Sequence, residues 1–355
     1  MDDGRWTMDD GRWTMDDGRW TMDDGRWTML ASLLSTMFSS RDVIQAARIG
    51  VACGVVAACV GCAGNPRAEV TPASPPQSSH FVTTDVIAEV KDFAVALGGH
   101  PTDNFLRHAN RQTSDNRCYF TGKLHLPEFY STLRMIREDE YRCAARGGEY
   151  DVFFYPVEAV ASGEESITVS LTEATTERVL VVVPHEDFHN QREAWKAPTE
   201  VAEAAATLVG FLTASGFAKQ RFGAESTTAR GLARDAELFL QKSLIVNRYY
   251  EKVSGLYHDF HAGALTPAQT LERKAELFAE MQRSCAEIAP EPVSFNKCPA
   301  AMNNAGLAFD RTYTRHYPML HDLYRSLGSD VSMLVPAVKR LMTNWPGTDS
   351  HAVDR

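Results

Sequence analysis

The chain has 355 residues and a formal net charge of −10 at pH 7, with 36 Lys and Arg against 46 Asp and Glu. This acidic balance offers no basic face of the kind nucleic acid binding needs, so no nucleic-acid partner is expected. With 44% hydrophobic residues the chain can bury a sizeable core, and its length suits one large domain or two small ones.

Residues 1–28 are four copies of MDDGRWT. A period of seven invites a coiled coil, yet in each copy only Met and Trp are apolar and a Gly intervenes, so no seam forms and the tract is expected to be unstructured. Each copy carries two Asp and one Arg, so the tract holds −4 of the charge and the rest of the chain −6. Residues 29–62 read as an export signal: Arg41 and Arg48 supply positive charge, and the apolar run 49–61 is shorter than the roughly 20 residues a membrane-spanning helix needs. The run ends in Val56-Ala57-Ala58-Cys59 and then Val60-Gly61-Cys62, both like a lipobox, so Cys59 or Cys62 is expected to be lipidated, with Cys59 the better fit. No Asp follows either Cys, which implies a lipid-anchored protein of the cell envelope, at the outer membrane and facing the periplasm. Residues 63–81, rich in Pro, Ser and Ala, read as a flexible linker.

Residues 82–345 are expected to form one domain of α+β class, mostly α. An amphipathic helix is predicted at 83–96, and strands of a small sheet at 152–160 and 166–171, with Pro156 confining the first to an edge. The β-branched run 179–183 reads as a buried strand leading to Pro184 at the first position of a helix. That helix carries His185-Glu186-Asp187-Phe188-His189. An HExxH sequence on a helix sets two imidazoles one turn apart on one face, where both can hold one zinc ion, and leaves the Glu beside the open coordination position. The third ligand is expected on the next helix, over 200–213, with Thr199 as N-cap and Gly216 as stop, which puts Glu203 on the inner face. Glu200 competes, although an acidic residue in a first turn is already favoured by the helix dipole. Asp187 should face away from the ligands and be exposed. Further helices are predicted at 227–261, from Thr266-Pro267 to about 285, at about 300–327 and at 331–342.

Apolar run, HExxH, a linker of about a dozen residues and Glu203-Ala204-Ala205-Ala206-Thr207 together resemble a gluzincin-type family of predicted bacterial aminopeptidases, most of them lipoproteins. Asn303-Asn304-Ala305-Gly306-Leu307 with Thr312-Tyr313 resembles that family's N-N-A-x-L and T-Y block, and residues 271–278 its charged helix between the two. The resemblance spans about 150–340, whereas residues 80–145 fit no pattern. It implies a zincin-like catalytic core, a small sheet ahead of the HExxH helix, a helical C-terminal part, Zn2+ as cofactor and a peptide as substrate. His185, His189 and Glu203 would hold the metal, and Glu186 would act as general base. Tyr313 is the candidate donor to the carbonyl oxygen, with His316 on its face. Asn303 and Asn304 would bind substrate backbone, unless they cap the helix entering at Ala305.

Past the signal, Cys118, Cys143, Cys285 and Cys298 make an even number in an exported chain. Of the three connectivities, the short-loop one pairs Cys118 with Cys143 and Cys285 with Cys298. His258 and His261 flank Asp259 near a helix end, where a solvated face is expected. No Gly-rich phosphate loop, G-x-S-x-G elbow or papain-like cysteine context points to another enzyme class. The alternatives are an envelope lipoprotein that binds a peptide or protein partner and keeps a structural metal without catalysis, and a helical scaffold in which HExxH is accidental.

Overall fold

The computed structural model describes residues 84–345 and four short strands within residues 6–29. They belong to two units, Met1–Ala73 and Ser74–Arg355. The export signal, Cys59, Cys62 and the linker lie outside the described residues.

In the first unit, β1 (Trp6–Asp9) pairs antiparallel with β2 (Arg12–Met15), and β3 (Trp20–Asp23) with β4 (Arg26–Met29). The heptad tract, expected to be unstructured, therefore contributes strands. The register pairs Asp9 with Arg12 and Asp23 with Arg26, and the sequence between each pair is Asp-Gly, a dipeptide that favours two-residue hairpins.

The second unit begins with α1 (Thr84–Ala96), which buries Ile87 and Val90. A three-stranded antiparallel sheet follows, with β5 (Asp115–Gly122) between β6 (Arg134–Arg137) and β7 (Tyr150–Val157). Pro156 sits on the edge strand β7, where its missing N–H costs no ladder bond. Two of these strands, with α2 (Glu140–Ala145), occupy the stretch that fitted no pattern. A disulfide joins Cys118 of β5 to Cys143 of α2. The strand expected at 166–171 is instead a single bridge between His108 and Ile167 followed by α3 (Val169–Glu173). Thr168 caps that helix by accepting from the Leu171 N–H, and the local cap outweighs the alternating pattern.

Helix α4 (Thr176–His189) corrects the strand-then-helix reading of 179–183. Thr175 caps it, accepting from the Arg178 N–H, and all of 179–183 is buried, so a short apolar run that suits either a strand or a core helix takes the helical form. Pro184 lies inside the helix, not at its start. Central to the unit is α5 (Thr199–Phe222), buried along most of its length and packed against α1, α4, α6 (Thr227–His261), α8 (Asn304–Thr314), α9 (Tyr317–Ser326) and α10 (Val331–Thr343). Among the described residues α5 is the one helix long and apolar enough to cross a membrane, and it is buried as a core helix here. Gly216 does not stop it: a Cβ there would lie 3.1 Å from the Phe93 ring, so the glycine admits that ring against the middle of the helix. The helix ends instead at Gly223, at φ 88°.

Helix α7 (Pro267–Ala286) has the predicted Thr266 cap, reciprocated by Gln269. The single helix expected over 300–327 is two, α8 and α9. Pro318 cannot bond back to the Thr314 carbonyl, which accepts instead from the Asn247 side chain at 3.0 Å.

Candidate metal centre

Helical spacing in α4 brings His185 and His189 onto one face, with ring centroids 4.8 Å apart. Glu203, on the first turns of α5, meets them there. The two Nε2 atoms are 3.1 Å apart, and Glu203 Oε2 lies 3.1 Å from His189 Nε2 and 3.4 Å from His185 Nε2. Two imidazole nitrogens and one carboxylate oxygen are the donor set of a catalytic zinc site, and a tetrahedral ion with bonds of about 2.0–2.1 Å sets its ligands roughly 3.3 Å apart. The residues present therefore fit the ion. Glu200 is not in the cluster.

The charges support the same reading. Burial works against a charged His189, but the adjacent Glu203 carboxylate outweighs it and raises the imidazole to about 9. Burial likewise opposes ionisation of Glu203, and the two histidines overcome it, holding the carboxyl well below the usual range. His185 is shifted down, chiefly by burial. Glu186 is pushed up to about 8 by burial and forms no hydrogen bond among the described residues.

Tyrosines stand around the cluster. Tyr313 of α8 places its ring 6.4 Å from that of His185, and its hydroxyl makes no hydrogen bond among the described residues. Burial, and then the Glu203 charge, push its phenol well above the ordinary value, so it stays a donor. Tyr155 of β7 is pushed up to about 12 by burial, and its charged surroundings include Arg178, Glu158 and Glu186. Tyr130 was not foreseen: its hydroxyl donates to Glu203 Oε1 at 3.0 Å from a position 73 residues earlier. No local motif signals a residue whose role arises only when a sheet connection folds over the helices.

Asp187 corrects a prediction. It is buried, not exposed, and accepts from Thr102 Oγ1 at 2.5 Å and Asn104 Nδ2 at 3.0 Å while pairing with Lys91 at 3.1 Å. The face of α4 opposite the ligands is covered by α1 and the segment after it, so the motif helix is gripped from behind.

Of the two readings for Asn303 and Asn304, substrate contact or capping, the structure shows a cap at Asn303, and both side chains bond within the fold. Asn303 caps α8 by accepting from the Gly306 N–H and donates to the Val152 carbonyl. Asn304 is fully buried, donates to the Lys123 and His125 carbonyls and exchanges bonds with Tyr257. Both fasten α8 to the sheet side. Cys118 and Cys143 form the expected bridge, whereas Cys285 and Cys298 are thiols in the structure, Cys285 buried and Cys298 half-buried. The bridge also takes Cys118 and Cys143 out of use as ligands beside Glu138. His258 and His261 are exposed, as expected of a solvated face.

Residues 160–351 match the family model described as "Putative aminopeptidase". No curated protein and no solved structure shows significant similarity to the chain.

Proposed function

Because the chain belongs to this aminopeptidase family, we propose that it is a zinc-dependent aminopeptidase with a zincin-like core. The observation that carries the reading is the convergence of His185, His189 and Glu203 beside a Glu186 carboxylate that bonds to nothing else among the described residues. When bound, zinc would act as a Lewis acid on the peptide carbonyl and make water easier to deprotonate.

The chain's own groups do the rest. Glu186, whose ionised form a bound cation would favour against its burial, takes the proton of the attacking water and passes it to the leaving amine. Tyr313 donates to the carbonyl oxygen as negative charge builds there. Lys91, Thr102 and Asn104 hold α4 through Asp187, so both imidazoles keep their facing. The lipobox-like residues around Cys59 and Cys62 support an envelope-anchored enzyme acting on peptides outside the cytoplasm.

Metal analysis of the purified protein together with Glu186→Gln tests the proposal. The variant should keep near-stoichiometric zinc while peptide turnover falls at least about a hundredfold. Full turnover in Glu186→Gln would leave a peptide-binding lipoprotein with a structural metal as the better account.

A further inference from the structure

Glu203 offers two oxygens, and the structure gives them different partners. Oε2 faces the two imidazoles, while Oε1 accepts from the Tyr130 hydroxyl. A terminal carboxylate torsion is broad and poorly fixed on its own. One donor on Oε1 therefore sets the carboxylate plane and directs the other oxygen to the metal position.

Tyr130 is itself held from several directions. It opens a short turn, Tyr130–Thr132, between β5 and β6. Its backbone N–H donates to Thr312 Oγ1 of α8 at 2.9 Å. Its ring lies 5.7 Å from Phe309, 6.1 Å from Tyr119 and 6.4 Å from Tyr313, measured between centroids. The residue therefore joins the sheet, the helix that carries Tyr313 and the third ligand at one point, from a position ahead of the segment 160–351.

We propose that Tyr130 is a positioning residue of the metal centre, orienting Glu203 through Oε1, so that the sheet-bearing segment ahead of residue 160 completes the site. The inference rests on the zinc reading of the site and goes beyond it by giving a role to a residue outside the HExxH and Glu203 motifs. An outer partner orients a ligating residue and tunes how tightly the metal is held.

Tyr130→Phe in the full chain tests it, because the ring and its stacking remain and only the O–H is lost. Zinc affinity, read by competition with a fluorescent chelator, should fall about 10- to 100-fold, and excess zinc should restore turnover to near the parent value. Thr312→Ala, which frees the turn at its other tie, should weaken zinc in the same direction. Thermal melting of both variants in the absence of metal separates this from loss of fold: a cooperative transition near that of the parent is expected. Parent affinity in a folded Tyr130→Phe overturns the proposal and leaves the zinc reading intact. A parent protein that binds no zinc overturns both. A turnover loss that excess zinc does not restore also refutes the positioning role.

Discussion

Gly210 of α5 lies directly against His185 of α4: a Cβ added at Gly210 would stand 3.3 Å from the His185 Cβ and 2.9 Å from the Val181 carbonyl oxygen. Gly210 and Glu203 are two turns apart on one face of α5, so the closeness of the helices at Gly210 sets how near Glu203 comes to the histidines. Gly210→Ala should gain up to about 1 kcal/mol of helix propensity. Against that stands an overlap with backbone that cannot rotate away, and overpacking of this kind costs about 1–3 kcal/mol. The variant should unfold at lower urea and bind zinc more weakly than the parent; parent-like values in both would show that α4 yields without disturbing the site.

The buried pair of Asp187 and Lys91 makes a second prediction. Their side chains are 10% and 11% exposed, so Asp187→Ala leaves an ammonium buried without its partner. Breaking such a pair costs about 3–5 kcal/mol, and equilibrium urea unfolding should show a loss in that range. Replacing both residues by apolar ones, Lys91→Met with Asp187→Leu, should recover much of it. A loss below about 1 kcal/mol for Asp187→Ala would mean the pair behaves as a surface one and does not hold the motif helix.

The proposed metal ligands were legible because their chemistry is written in local spacing: His185 and His189 one turn apart, Glu203 early on the next helix. Helices α1, α6, α7 and α10 were legible from periodicity and caps. What periodicity could not decide was the run 179–183, buried on all sides and so without an amphipathic signature. Asp187 was misjudged for a related reason. On the side of α4 away from the ligands Asp187 stands alone as a charge among Leu180, Val183 and Pro184, and only the folded segment 100–104 with Lys91 supplies the bonded network that buries it. Tyr130 and the strands around it depend on contacts far apart in sequence, which no single stretch records. At Asn303 and Asn304 the sequence allowed both substrate contact and capping, and the folded chain shows the side chains fastening α8.

The Cys118–Cys143 bridge closes a loop with a sequence separation of 25, and Tyr130 lies within it. Replacing both by Ser should lower stability by about 2–4 kcal/mol, read from urea unfolding under non-reducing conditions. Because the loop carries the residue that orients Glu203, zinc affinity should fall as well, by less than in Tyr130→Phe. Unchanged zinc affinity in the double variant would show that the surrounding aromatic rings hold Tyr130 without the bridge.

His316 gives the fold an acid-sensitive point separate from the metal ligands. It sits between α8 and α9 with its ring 5.3 Å from that of Trp345. Burial, with Arg315 and Arg311 adding to it, pushes the imidazole down to about 3 from an ordinary 6.5. Between those two values the unfolded chain binds a proton at this position that the native chain refuses, so protonation favours unfolding. The stability that the neutral ring contributes is thus intact above pH 6.5 and is lost progressively as pH falls toward 3. His316→Gln removes the titration, and the difference in melting temperature between pH 7.5 and pH 5 should be smaller in the variant than in the parent. Comparing the two proteins at each pH cancels the titration of His185 and His189, and on the zinc reading the acid release of metal there, because both proteins retain these residues. An identical pH dependence in parent and variant would place the acid sensitivity elsewhere and show that the imidazole titrates freely at this break between the helices.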